Sequence, residues 1–199
     1  NHKADYIVIG NFSGKAAKDA EKYGKVAMVH FDSHNDTSDF DNKYTHGTPF
    51  RRAIEDGYLD PTHSIQVGIR GYSETYRNEY AKEHGMEVIT ARELHKIGIE
   101  EAAARIRKQV GTSPVIVTFD IDFLDPAAAP GTGTPVSGGF TTYEGMELIR
   151  RSIPGLDVKG FDLVEVMEDY DPGHITALAA TYLITQFISV ISQNKKNAE

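Results

Sequence analysis

The chain has 199 residues, 40% of them apolar and 25% charged, with 18 glycines and 8 prolines, which suits one good-sized core and excludes fibrous and disordered readings. A total of 21 basic against 29 acidic side chains leaves a net charge of −8 with histidine neutral, a poor match for nucleic acid or anionic lipid and a better one for a cationic ligand. With no cysteine, a disulfide framework, a thiolate metal site and a cysteine nucleophile are excluded together, and a reducing setting, cytoplasmic or an organellar matrix, is the expectation.

In chain order, short apolar runs predict strands over 6–9, 26–31, 65–69, 86–89, 115–119 and 161–166. Helical spacing predicts helices over 15–22, 49–56, 73–84, 91–96, 99–110, 142–152 and 175–193. Strands of four to six mostly apolar residues alternating with amphipathic segments imply an α/β fold, a mainly parallel sheet covered by helices on both faces. No linker-like stretch divides the chain, so one domain over 1–199 is expected, with a polar tail at 192–199 that frays. No apolar run approaches the roughly 18 residues of a spanning helix, so no membrane partner is expected. No signal-peptide pattern opens the chain. It begins with Asn1 rather than Met, so a processed, truncated or partly recorded product is the expectation.

The most informative segment is VAMVHFDSHNDT, residues 26–37. A buried strand ends directly in Asp32, His34 and Asp36, and residues two apart on an extended chain project to the same side. Polar residues at a strand end also serve as turn formers, so this run alone leaves both readings open. A second segment, PVIVTFDIDFLD (residues 114–125), repeats the design with Asp120 and Asp122. Adjacent carboxylates repel unless a cation lies between them. Four carboxylates and one imidazole suit a hard or borderline divalent ion such as manganese better than structural zinc. Shared carboxylates further suggest two ions.

Here a family resemblance becomes specific. FDIDFLDPAAAPGTGTPVSGGFTTYE (residues 119–144) resembles the signature of the ureohydrolases, the agmatinases, arginases and their guanidino-acid-cleaving relatives. VHFDSHNDT resembles the family's earlier metal motif, and HGTPFRRAIEDG, VGIRGYS and DLVEVMEDYDPGHITALAA resemble its agmatinase branch, in the expected order. The resemblance implies a three-layer arginase/deacetylase-like sandwich and a dinuclear manganese site held by Asp32, His34, Asp36, Asp120 and Asp122, with Asp32 and Asp120 bridging. Nickel, used by some relatives, is the alternative metal. Asp125 precedes Pro126 at a turn, is not a ligand in the family pattern, and is read as a turn cap.

The resemblance further implies hydrolysis of a guanidino compound to urea and an amine. A guanidinium is a poor electrophile, so metal ions that acidify water are needed, together with a carboxylate that orients the planar cation. Glu165, in DLVEV, matches the family's guanidinium-binding glutamate. His46, in THGTPF, matches the histidine that passes a proton to the leaving amine, a role suited to imidazole. The remaining histidines, His2, His30, His63, His84, His95 and His174, have bland strand or surface readings, with His174 the best placed of them to line the site. Gly131-Thr132-Gly133 lacks the context of a phosphate loop and reads as a rigid loop around the cavity. Tyr72, Tyr76 and Tyr80 read as a packed face or a subunit contact.

The acidic loop TSDFDNKYTHGTPF favours a substrate whose far end is an amine, so agmatine is first choice. Guanidinobutyrate or guanidinopropionate is second and would want a basic residue, for which Arg51, Arg52 and Arg70 are the candidates. A homo-oligomer, trimer or hexamer, is implied as the assembly. A catalytically weak or silent subunit kept for assembly is the competing class. Family members are longer and carry a Gly-Gly-Asp-His segment whose histidine binds one ion, whereas the matching stretch here, VIGNFSG (residues 8–14), has no histidine. Single-zinc deacetylases of the same fold are a third option, disfavoured by the Asp120/Asp122 pair and the PGTGTP loop. The expectation is that the ion bound by Asp32, His34, Asp120 and Asp122 is the better occupied one.

Overall fold

β-Branched and aromatic runs build a five-stranded parallel sheet in the computed structural model, which describes residues 25–41, 43–72 and 79–197. The strands are β1 (Ala27–Phe31), β2 (Ile65–Ile69), β3 (Glu87–Thr90), β4 (Pro114–Asp120) and β5 (Asp157–Val164). They lie in the order β3-β2-β1-β4-β5, every neighbouring pair parallel. The helices are α1 (Pro49–Glu55), α2 (Glu79–Glu83), α3 (Ala91–Val110), α4 (Thr142–Ser152) and α5 (Ile175–Asn197). From β1 the chain builds outward to β3 on one side, then crosses to β4 and β5 on the other. That reversal opens a crevice beyond the carboxyl ends of β1 and β4, where α/β sheets of this kind bind ligands.

Strand alternation sorts the two faces. Ala27, Val29 and Phe31 of β1 join Val67, Val117 and Phe119 under Leu94, Ala102 and Ile106 of α3, Leu148 and Ile149 of α4, and Leu183 and Phe187 of α5. Met28 of β1 turns the other way, to a smaller cluster with Val26, Leu59, Ala81 and Met86, against which Phe50 and Ile54 of α1 pack. The result is the three-layer α/β sandwich expected from the sequence.

Several boundaries differ. The predicted helices 91–96 and 99–110 are one element, α3, which passes through Gly98 with φ 77° as a kink. β5 starts at Asp157, because its polar, glycine-containing opening Asp157-Val158-Lys159-Gly160 is a half-covered edge segment whose pairing a hydrophobicity pattern does not reveal. It ends at Val164, so Glu165 lies just past the strand and not inside it. Helix α5 carries the supposedly frayed tail to Asn197, since no Gly or Pro interrupts SQNKKN. The segment Pro172–Asn194 is long and apolar enough, by length and composition alone, to cross a membrane, a test that a core helix of a globular domain also passes. One of its faces is in the core through Ala179, Ala180, Leu183, Phe187 and Val190. The predicted elements 6–9 and 15–22 lie outside the described residues, as do 73–78 of the predicted helix 73–84 and Tyr76 of the tyrosine series.

Candidate metal centre

β1 and β4 are in register, Phe31 opposite Phe119, so the residues that follow them, Asp32 and Asp120, emerge at the same edge of the sheet. Asp32 still follows the sheet, its N–H donating to the Val67 carbonyl at 3.1 Å. Gly68 allows this close approach: with φ 100°, any Cβ there would lie 2.8 Å from the Asp32 carbonyl oxygen and 2.5 Å from the Phe123 ring. The His34 N–H donates to Asp32 Oδ1 at 2.6 Å. The His34 ring approaches Asp122 with Nδ1 3.0 Å from Oδ2. After β4 the chain tightens into a 3-10 turn, and Asp120 Oδ1 accepts from the Asp122 N–H at 2.8 Å. Two groups of potential ligand atoms result, each within 4.8 Å of one another: Asp32, His34 and Asp122, and His30, Asp32 and Asp36. Asp32 belongs to both.

The electrostatics are those of a site short of positive charge. Burial pushes the carboxyl of Asp120 well above its usual range, and the nearby Asp32, Asp122 and Asp36 add to this. Asp36 is likewise raised by burial and by the charges of Asp32, Asp122 and Glu165. Asp122 is raised by burial and Asp32, against the pull of His34. Asp32 runs opposite: burial would raise it, but His30, His34 and the His34 N–H hold it well below the carboxylate range. Burial lowers His34, yet Asp122 and Asp32 outweigh it and lift the imidazole to about 10. The carboxylates around His34 thus favour its cationic form. Four crowded carboxylates and an imidazole are the donors that a pair of hard or borderline divalent cations satisfies.

Residues that sequence reasoning passed over hold this set in place. Buried Ser33 donates from its N–H and Oγ to Asp122 Oδ1, at 3.1 and 2.8 Å. Arg70, considered above for a substrate carboxylate, is committed elsewhere. Its guanidinium donates to the carbonyls of Gly68, Asp122, Phe123, Leu124 and Val136, which ties the Asp122 turn to β2 and to the PGTGTP loop. A buried arginine facing only carbonyls has no sequence signature. His30, read as bland, is buried beside Asp32 with Nε2 2.7 Å from Oδ2. Its even spacing with Asp32 and Asp36 was the available signal.

The other expectations divide. Asp125 is the turn cap it was read to be, its carboxylate accepting from the N–H groups of Ala127, Gly138 and Gly139. The PGTGTP loop is pinned: the Gly131 N–H donates to Thr176 Oγ1, and the Gly131 carbonyl accepts from Met167. Glu165 is exposed with φ 64°, and its charge reaches Asp36. His46 is exposed in the loop after Asp36, which is folded back by Phe50 N–H to Asp36 carbonyl and Ser38 N–H to Gly47 carbonyl bonds. His174 is exposed at the turn before α5, with φ 59°. Arg51 and Arg52 both pair with Asp39 and Glu55. Tyr80 stacks on His84 and lies under Arg51, packing on a local face.

Comparison with known proteins agrees with this geometry. The guanidinopropionase of Pseudomonas aeruginosa is 46% identical over 174 residues, 85% of this chain and 54% of that protein. The agmatinase of Chromobacterium violaceum is 44% identical over 182 residues, 90% of this chain and 54% of that one. Among solved structures, the proclavaminate amidino hydrolase of Streptomyces clavuligerus superposes with a TM-score of 0.86 at 38% identity, covering 93% of this chain and 63% of the other. The chain therefore spans about half the length of the curated relatives it matches. The model of the arginase family, whose members depend on a dinuclear metal centre, matches residues 6–189. With that match over nearly its whole length, on the sheet order and paired aspartate motifs described above, the chain belongs to the arginase family.

Proposed function

We propose that this chain carries the catalytic site of a dinuclear-metal hydrolase that cleaves a guanidino compound, agmatine first, to urea and an amine. The observation that carries this reading is the pair of donor groups sharing Asp32. Asp32 and Asp120 would hold both ions, His34 and Asp122 completing one and Asp36 contributing to the other. Manganese fits this oxygen-rich set, with nickel as the alternative. Bound there, the ions supply the Lewis acidity that makes water a competent nucleophile near neutral pH. Glu165 binds the planar guanidinium through its carboxylate, a role supported by its proximity to Asp36. His46 delivers the proton that the departing amine requires.

Agmatine over a guanidino acid is supported by the fate of the three arginines. Arg51 and Arg52 are paired with acids and Arg70 with carbonyls, so none of the three offers an uncommitted cation to a substrate carboxylate. A homo-oligomer is part of the proposal, supported by Ile175, Leu178 and Tyr182, which lie exposed on one side of α5. A reducing compartment, cytoplasmic or organellar, is supported by the absence of cysteine. The test is elemental analysis for bound metal with urea release from agmatine, guanidinobutyrate and guanidinopropionate. Manganese or nickel with preferential agmatine cleavage is the expected outcome. Metal without urea from any of the three would favour the silent assembly subunit, and no metal would refute the reading.

A further inference from the structure

Directly beneath the carboxylates runs a row of polar side chains that a sheet interior does not ordinarily contain. Gln66 of β2 stands opposite His30 of β1, His30 opposite Thr118 of β4, and Thr118 opposite Asp162 of β5. All four are buried. Such a row is costly unless its members are partnered; each of these makes at least one such contact, although Gln66 Oε1 has none among the described residues. Thr118 Oγ1 donates to Asp162 Oδ1 at 2.7 Å. Gln66 Nε2 donates to the Asn35 carbonyl at 2.6 Å and lies 3.1 Å from His30 Nδ1. On its other side, His30 Nε2 lies 2.7 Å from Asp32 Oδ2, and the ring leans on Phe50 with centroids 4.5 Å apart.

These contacts decide which nitrogen of His30 bears the proton. Were the Gln66 amide turned over, its oxygen would face the Asn35 carbonyl oxygen at hydrogen-bond distance, acceptor against acceptor. The amide nitrogen therefore faces Asn35, and its second N–H points to His30 Nδ1. A nitrogen that accepts carries no proton, so the proton of His30 is on Nε2 and is donated to Asp32. A protonated Nε2 has no lone pair for a cation. His30 lies within reach of Asp32 and Asp36, yet it is presented to the site as a donor.

We propose that His30 is a positioning residue for the shared carboxylate of Asp32, that Gln66 fixes its tautomer through the anchor at Asn35, and that His30 is not itself a metal ligand. The positioning half rests on the metal reading above; the tautomer does not. Carboxylates that ligate metals are held by outer hydrogen bonds whose loss weakens binding about 10- to 100-fold. Here the bond is made from below, along the strand that carries the ligand.

The first test is a long-range proton–nitrogen NMR spectrum of the metal-free, nitrogen-15-labelled 199-residue chain, repeated with Zn2+ added as a diamagnetic probe. The expected result is a His30 protonated on Nε2 and bare on Nδ1 in both spectra. A proton on Nδ1, or loss of the Nε2 proton when Zn2+ is added, would overturn the proposal. The second test is Mn2+ binding by calorimetry. His30→Gln, which keeps a donor near the Nε2 position, should stay within about threefold of wild type, while His30→Phe should bind about 10- to 100-fold more weakly. Equal loss in both variants would mark His30 as a ligand and defeat the idea. Should His30→Phe fail to fold, the wild-type tautomer and the Gln variant still decide. A wild-type chain with the expected tautomer that binds no Mn2+ would overturn the metal reading and the positioning role together, leaving the tautomer standing.

Discussion

Asp162 is a buried carboxylate outside the donor set, and replacing it with asparagine should stabilise the protein in a pH-dependent way. Burial pushes its carboxyl from 3.8 up to about 6, opposed by the Thr118 hydroxyl bond and by His30. A rise of that size, at about 1.4 kcal/mol per pH unit, means that ionised Asp162 costs the folded state about 3 kcal/mol. The sign follows from proton binding. Between 3.8 and about 6 the folded chain keeps a proton that the unfolded chain has released, so stability falls as pH rises through that window and then levels off. Asparagine retains an oxygen to accept from Thr118 and has no charge to desolvate. Asp162→Asn should therefore gain little at pH 4, about half the effect near pH 5, and about 3 kcal/mol above pH 6.5. Urea denaturation of both chains, metal-free, across pH 4 to 8 measures this difference. A gain independent of pH, or a variant less stable than wild type at pH 7.5, would refute the burial argument.

If Glu165 has the role proposed, Glu165→Gln should lower kcat/KM for agmatine about 10- to 100-fold while metal content by elemental analysis stays at the wild-type level, because the charge that would face the guanidinium is lost and no proposed ligand is. His46→Ala should lower kcat about 100-fold with little change in KM, and steady-state urea release that matched wild type would remove its role. Gly139→Ala should destabilise by about 1 to 3 kcal/mol, visible as a fall of several degrees in Tm, since the new Cβ would lie 2.6 Å from both Arg70 Nη2 and the Asp125 nitrogen; an unchanged melting curve would mean that the loop yields freely. On the ligand assignment proposed above, Mn2+ titration should resolve two affinities at least about tenfold apart, because Asp32, His34, Asp120 and Asp122 would hold one ion and only Asp32, Asp36 and Asp120 the other; two equal, tight sites would contradict it.

The parts of this fold that were legible in the sequence are those written in local pattern. Buried strands such as 65–69 and the helix 142–152, whose Thr141 and Glu144 form a reciprocal cap, announce themselves within a few residues. The opening of β5, Asp157–Gly160, did not, because a half-covered segment needs no hydrophobic run and Gly160 imitates a turn. The two aspartate clusters were legible because each ends an apolar strand. That they meet depends on β4 crossing to lie beside β1, a pairing 88 positions apart, as at Val29 and Val117, that no local window contains. Arg70 shows the other limit: a charged residue two positions past a glycine in a strand suggests a surface or a ligand, and only the folded loop supplies the five carbonyls that absorb it.

Seen from Asp32, the organisation of the site becomes a matter of charge. A carboxylate serving two cations must stay ionised among three others, and burial alone would protonate it. Hydrogen bonds from the His34 N–H at one oxygen and from His30 at the other meet that requirement, and both partners come from the same strand and its continuation. For Asp36, Asp120 and Asp122 burial and the neighbouring carboxylates outweigh the hydrogen bonds and charges that oppose them, and all three are raised instead. The chain thus prepares one carboxylate as an anion in advance and leaves three to be ionised by what binds. Such a site is stabilised by cations in proportion to how many it receives, which couples metal loading to the stability of the crevice at the head of β1 and β4.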